Sequence, residues 1–144
     1  MLDLDIYLLF PLALVLGLMA LPILMRRRHG TVLFVEPGTL MQEMKSSTSP
    51  YVFDIRPDKN FAAGHIPGAT NLYSQKLESL IDQEESPVSG TKSEPVVLVC
   101  QSDLESIKMW KKLNDRGWEN IRVLKGGMYK WKRSSLPVEK VEST

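Results

Sequence analysis

Val96-Val97-Leu98-Val99-Cys100-Gln101-Ser102-Asp103-Leu104-Glu105-Ser106 changes its periodicity halfway along. Its first four residues are apolar and mostly β-branched, the signature of a short buried strand. The chain's one cysteine follows directly. Ser102, with Glu105 three residues on, reads as a capping box opening a helix. That helix is expected to bury Leu104, Ile107, Trp110 and Leu113 and to stop at Gly117. Cys100 therefore belongs at the carboxyl end of a strand, in the turn that enters a helix. In open α/β sheets ligands and reactive groups collect there, and free N–H groups with the helix dipole favour an anion such as a thiolate or persulfide. A buried structural cysteine is the competing reading.

The flanking sequence repeats the strand–helix alternation. Val32 to Val35 reads as a strand, and Pro37-Gly38 opens a helix through Lys45. Tyr51 to Arg56 is a strand stopped by Pro57, and Asp58 caps a short helix through Ala63. The turn-rich Gly64-His65-Ile66-Pro67-Gly68-Ala69 leads to a small strand near Ala69 to Leu72 and a helix over Ser74 to Gln83. Glu84 to Glu94 reads as a mobile polar loop. Ile121 to Leu124 is the last strand, and Lys125-Gly126-Gly127 turns into a helix through Arg133, before Leu136-Pro137-Val138 closes the domain. Such alternation predicts a parallel α/β sheet covered by helices on both faces.

The chain has 144 residues, enough for one ordinary domain. A lone cysteine cannot form an internal disulfide, and His29 and His65 show no metal-ligand spacing, so neither a metal nor a cofactor is expected. Beyond Met25 the chain carries 18 basic against 15 acidic residues, too even a balance for nucleic acid. Before that point, residues 6–25 form an uncharged, predominantly apolar run of 20 residues. As a helix it would span about 30 Å, the thickness of a bilayer core. A cleaved signal peptide would have basic residues before the run and a small-residue cleavage site after it. Here Asp3 and Asp5 precede it and Arg26, Arg27 and Arg28 follow it. The expectation is a single-pass anchor in the inner membrane, N-terminus out, with the remainder on the cytoplasmic side. The chain then divides into an outer tail (1–5), a transmembrane helix (6–25), a basic linker (26–31), a folded domain (32–138) and a polar tail (139–144).

Three segments together resemble the rhodanese-like domain family. They are Tyr51 to Arg56 with Gly64-His65-Ile66-Pro67-Gly68-Ala69; the strand ending in Cys100; and Leu124-Lys125-Gly126-Gly127 with Trp131 and Leu136-Pro137. With the anchor, the chain is similar to bacterial membrane-tethered single-domain rhodaneses. The resemblance implies an α/β fold around a central parallel sheet. It also implies a sulfane sulfur carried as a cysteine persulfide between a donor and a thiophilic acceptor. Cys100 matches the family's nucleophile, which would attack the donor's outer sulfur while loop N–H groups stabilise the persulfide.

The loop departs from the family pattern. Active members usually read like Cys-Arg-Ser-Gly-x-Arg-Ser, whereas here Gln101, Ser102, Asp103, Leu104, Glu105 and Ser106 follow the cysteine. Asp103 stands at the glycine position, where it is expected to hinder tight folding around the sulfur. Glu105 replaces the arginine. At an effective dielectric of ~20 and a spacing of ~7 Å, each acid beside the thiolate costs about 2 kcal/mol, which disfavours fast turnover of thiosulfate. Ordinary roles compete: Glu105 as the capping-box acid folded away from the sulfur, and Asp103 compensating the helix dipole. Asp54 and Arg56 are expected to form a strand-end pair, and His65 to pin its turn by hydrogen bonds rather than serve Cys100 as a base. Trp110 and Trp131 belong in the core, and Trp118 is expected to be partly exposed. A Cys-x5-Arg phosphatase is excluded because Ser106 stands at the arginine position. Two readings follow. One is a sulfurtransferase of low or specialised activity; the other is a non-catalytic module that binds a protein partner, a membrane protein among the candidates, at the cytoplasmic membrane face.

Overall fold

The computed structural model describes residues 30–83 and 92–141, together with Val15. The expected membrane span at 6–25 lies, but for Val15, outside the described residues, as does the loop at 84–91. Among the described residues no helix is long and apolar enough to cross a membrane. The chain divides into a unit over Met1–Thr31 and a unit over Val32–Thr144, and the fold below is that of the second.

Five strands alternate with five helices: β1 (Leu33–Val35), α1 (Pro37–Glu43), β2 (Tyr51–Asp54), α2 (Asp58–Ala62), β3 (Thr70–Asn71), α3 (Ser74–Asp82), β4 (Val96–Val99), α4 (Asp103–Asp115), β5 (Ile121–Leu124) and α5 (Gly127–Arg133). They form one sheet in the order β1-β5-β4-β2-β3, with every pairing parallel. This is the expected α/β architecture, and the elements begin and end within a few residues of where the sequence puts them.

β4 is the middle strand, and all four of its residues are buried. Because side chains alternate along a strand, its residues divide between two cores. Val96, Leu98 and Cys100 join Leu77 and Ile81 of α3 and Met109, Trp110 and Leu113 of α4. Val97 and Val99 join Leu40 of α1 and Met128 and Trp131 of α5. Each fully buried aliphatic side chain contributes about 1.5–3 kcal/mol, so the continuous apolar run of β4 stabilises both cores at once. The two tryptophans also find partners for their indole N–H groups: Trp110 donates to the Ile121 carbonyl (3.2 Å) and Trp131 to that of Pro137 (2.9 Å).

The next strand after β2 lies on one side of it, while the next strand after β4 lies on the other. The order therefore reverses between β2 and β4, and their carboxyl ends flank a topological switch point. Asp54 pairs in register with Val99 there, one residue before Cys100.

The structure corrects several expectations. α4 buries Ser106, Met109, Trp110 and Leu113, whereas Leu104 is 61% exposed and Ile107 is only half-buried. The helix enters at Asp103, which turns its first residues outward at the mouth of the loop. Trp118 is buried rather than partly exposed, because its backbone N–H bonds to the Leu113 carbonyl and folds the indole back under α4. Asp58 is the first helical residue rather than the cap, a position taken by Pro57. The folded chain also runs past Val138: Glu139 pairs with His65, and the Val141 N–H bonds to the Ala62 carbonyl.

Candidate active site

Cys100 leaves β4 with 9% of its surface exposed. Its thiol is held above the ordinary thiol range, first because burial desolvates the thiolate. Backbone N–H groups of Gln101 and Ser102 donate toward the sulfur and oppose that shift, while the carboxylates of Asp54 and Glu105 add to it.

The aim of those two N–H groups is set from the other side of the loop. All peptide bonds described are trans, so within each unit the carbonyl and the N–H point in opposite directions. The Cys100 carbonyl accepts from Met128 N–H at 2.8 Å, and the Gln101 carbonyl accepts from Tyr129 N–H at 3.3 Å. With these carbonyls turned to the amino end of α5, the N–H groups of the same two peptide units face the sulfur. The approach depends on Gly127. A Cβ there would sit 2.5 Å from the Cys100 carbonyl oxygen and 2.8 Å from the Gln101 carbonyl carbon and oxygen. The Gly126-Gly127 pair, read in the sequence only as a turn, is thus the platform on which the cysteine loop rests.

The expected capping box is not made. Ser102 is the N-cap residue of α4 but makes no side-chain cap bond, and its backbone is extended. Its N–H, which the box would give to Glu105, is already directed at the sulfur. Glu105 instead pairs with Lys108 at 2.8 Å on the exposed face of α4. Asp103 does not stop the loop from wrapping, as its position in place of glycine led us to expect. Its carboxylate reaches across to accept the Gly126 N–H at 2.5 Å. Ser106 is buried, and its hydroxyl has no hydrogen-bond partner within the described protein.

On the β2 side, Asp54 and Arg56 form a buried ion pair. Arg56 Nε donates to both carboxylate oxygens (2.9 and 3.1 Å), and one terminal nitrogen donates to Oδ2 at 2.6 Å. The same nitrogen reaches the Gly64 carbonyl at 2.8 Å, which ties the Gly64-His65 turn to the strand end. The other faces Gln101 Oε1 at 3.5 Å, linking the pair to the cysteine loop. Asn71 donates to the Asp54 and Arg56 carbonyls (3.0 and 2.9 Å), so the turn of chain after β2 is held on both sides. Neither the Gly64 nor the Gln101 contact has a short-range signal in the sequence.

His65 is not brought to Cys100. Its ring stacks on Phe61, with centroids 3.7 Å apart, and Nδ1 lies 3.0 Å from the Phe61 carbonyl. Its backbone pairs with Glu139 in both directions, and Nε2 faces the Glu139 carboxylate at 3.8 Å. The imidazole pins the turn and the end of the chain. Among the described residues no group of three or more His, Cys, Asp or Glu could hold a metal.

Comparison with known proteins agrees with this geometry. The family model of the rhodanese-like domain matches residues 36–134. The adenylyltransferase and sulfurtransferase UBA4 of Meyerozyma guilliermondii is 33% identical over 86 residues, covering 56% of this chain but only 19% of that protein. The thiosulfate sulfurtransferase GlpE of Shewanella oneidensis is 30% identical over 89 residues, 62% of this chain and 82% of that one. Among solved structures, the Alr3790 protein from Anabaena sp. superimposes with a TM-score of 0.63 at 24% identity, covering 74% of this chain and 82% of its own. A parallel α/β sheet, a cysteine at the carboxyl end of its middle strand and a match across residues 36–134 place this chain in the rhodanese-like domain family.

Proposed function

We propose that this chain is a sulfurtransferase of specialised activity that carries sulfane sulfur as a persulfide on Cys100. The observation that supports this most is the anchoring of the Cys100 and Gln101 carbonyls on the Met128 and Tyr129 N–H groups, which turns the N–H groups of Gln101 and Ser102 toward the Cys100 sulfur. In the first half-reaction the Cys100 thiolate attacks the outer sulfur of the donor. A new S–S bond forms on Cys100, and the bond to the donor's inner sulfur breaks with its electron pair, releasing sulfite from thiosulfate or a thiolate from a thiol persulfide. In the second, an acceptor thiolate attacks the outer sulfur and Cys100 departs as thiolate. The N–H groups serve the anionic sulfur in both steps.

The donor class follows from charge. Asp54 and Glu105 both act against negative charge at Cys100, and the Arg56 guanidinium, which faces the loop, is paired with Asp54. A doubly charged thiosulfate meets repulsion there, so a protein or low-molecular-weight persulfide is the preferred donor. The anchor read at residues 6–25 would tether this chemistry to the cytoplasmic face of the inner membrane, in contact with the lipid bilayer and within reach of membrane proteins.

A second reading draws on the raised Cys100 thiol: a non-catalytic module that binds a protein partner at the membrane. One experiment separates the two. Full-length protein in mild detergent, wild type and Cys100→Ser, is exposed to thiosulfate or glutathione persulfide and weighed intact. A gain of one sulfur atom (about +32 Da) on wild type alone, larger from the persulfide, supports the carrier. No gain from either donor leaves the docking module. Retention of the chain in carbonate-washed membranes tests the anchor.

A further inference from the structure

We infer that Asp103 is a positioning residue: its side chain fastens the cysteine loop to the β5–α5 turn and thereby holds the two sulfur-facing N–H groups in aim. The inference rests on the sulfur-carrier reading for its importance, although the geometry stands without it.

Three bonds join the loop to the turn. Two are made by backbone, from Met128 N–H to the Cys100 carbonyl and from Tyr129 N–H to the Gln101 carbonyl. The third, from Gly126 N–H to the Asp103 carboxylate, is the shortest of them at 2.5 Å and spans 23 residues of sequence. The first two fix the near side of the loop, where the sulfur sits. Asp103 fixes the far side, where the loop becomes α4. Without it, the segment from Ser102 onward could rotate about the remaining two contacts, and the longer of these, to Gln101 at 3.3 Å, orients the Ser102 N–H. The charge of Asp103 also acts on Lys125, which precedes the same turn and is held above its ordinary range first by its bond to Glu36. The carboxylate thus faces a basic turn. Compensation of the α4 dipole alone would leave this side chain pointing into solvent along the helix axis. A bond to one particular N–H across the loop is a different arrangement with a different consequence.

The two roles separate when charge and acceptor are removed independently. Asp103→Asn abolishes the charge but keeps a carbonyl oxygen able to accept from Gly126; Asp103→Ala abolishes both. Because Cys100 is the chain's single cysteine, alkylation of full-length protein reads this thiol alone. The midpoint of the alkylation–pH curve reports the thiol pKa, while its plateau reports access. The fastening role requires the Asp103→Ala midpoint to lie above that of Asp103→Asn by about half to one pH unit, a thiolate fraction about three- to tenfold smaller near neutral pH. Faster hydrogen exchange in the peptide containing Gly126 should accompany it in Asp103→Ala only. Coincident midpoints and equal exchange in the two variants overturn the inference. Should Asp103→Ala fail to fold, Asp103→Ser, whose hydroxyl stops about one bond short of the carboxylate oxygen, takes its place. Sulfur loading does not enter the readout, so a protein that never accepts sulfur would refute the carrier reading and leave this test intact.

Discussion

Replacing Gly127 by alanine tests the platform under the cysteine loop. The residue has φ +53°, and its missing Cβ would meet three backbone atoms of Cys100 and Gln101 at 2.5–2.8 Å. No flexible side chain stands there to move aside, so backbone must shift. The left-handed conformation costs alanine about 1–2 kcal/mol. Overpacking against a fixed wall costs about 1–3 kcal/mol more. The total, about 2–5 kcal/mol, corresponds to a melting temperature lower by about 10–25 °C in a domain of this size. The shift also has a chemical consequence, because moving the Cys100 and Gln101 carbonyls off Met128 and Tyr129 turns the paired N–H groups away from the sulfur. The thiol should rise further, and the alkylation midpoint with it. Thermal unfolding followed by tryptophan fluorescence and the alkylation–pH curve read the two effects. Gly38→Ala is the control, since nothing lies within 4 Å of the added Cβ. Alanine inside α1 should be neutral or stabilising by up to about 1 kcal/mol. A Gly127→Ala protein that melts within two or three degrees of wild type with an unmoved midpoint would refute the platform.

Three further outcomes follow from the charges. Arg56→Met leaves the Asp54 carboxylate buried without its partner, and urea unfolding should show a loss of about 3–5 kcal/mol, partly recovered when Asp54→Asn is added. The raised Cys100 thiol makes the folded state hold its proton longer than the unfolded chain. Its contribution is complete below the unfolded value near ~8.5 and is lost as pH rises through the folded value. Stability of wild type should therefore fall in alkali by more than that of Cys100→Ser, and parallel curves would disprove the shift. Glu43, joined to Arg122 by two bonds (2.9 and 2.6 Å), is held below the usual carboxylate range first by that bonding. Its contribution is present above about 4.3 and is lost as pH falls, so Glu43→Gln should cost about 1 kcal/mol at neutral pH and nothing in strong acid.

The sheet was legible because β4 is buried on both faces, which demands a continuous apolar run, and because Gly and Pro punctuate each neighbouring element. The face of α4 was misread for a definable reason. Leu104 and Ile107 carry the apolar character, but the helix begins at Asp103, and its phase puts Ser106 and Met109 under the sheet instead. A periodicity count weighs residue identity and has no means of knowing the rotation of the helix about its own axis. The capping box failed through competition: Ser102 N–H can serve Glu105 or the sulfur, and short-range rules see only the first partner. Asp54 with Arg56 was readable because the pair is two residues apart. The bonds from Arg56 to the Gly64 carbonyl and from the Gly126 N–H to Asp103 join residues 8 and 23 positions apart, where only the folded sheet brings them together.

The raised thiol also bears on which half of a sulfur transfer would limit this protein. An ordinary thiol near pKa ~8.5 is already only about 3% thiolate at pH 7, and Cys100 lies above the ordinary range. Nucleophilicity recovers about half of that deficit on a logarithmic scale, since a more basic thiolate attacks more strongly. Departure has no such compensation: the more basic sulfur leaves its persulfide more slowly. Both steps are slowed, and release is slowed by the same feature that makes attack tolerable. On the carrier reading, discharge of Cys100 is slow and quickens when an acceptor changes the environment of the loop. Glu105, exposed at the mouth beside Leu104 and paired with Lys108, is the charge such an acceptor could neutralise directly. Asp54, buried and fixed to Arg56, is out of its reach. Glu105→Gln should therefore reproduce part of an acceptor's effect, lowering the Cys100 alkylation midpoint and speeding discharge of a preloaded persulfide to a small thiol. A midpoint and discharge rate that stay at the wild-type values would mean that burial and Asp54 govern the sulfur, and that an acceptor must open the loop rather than merely approach it.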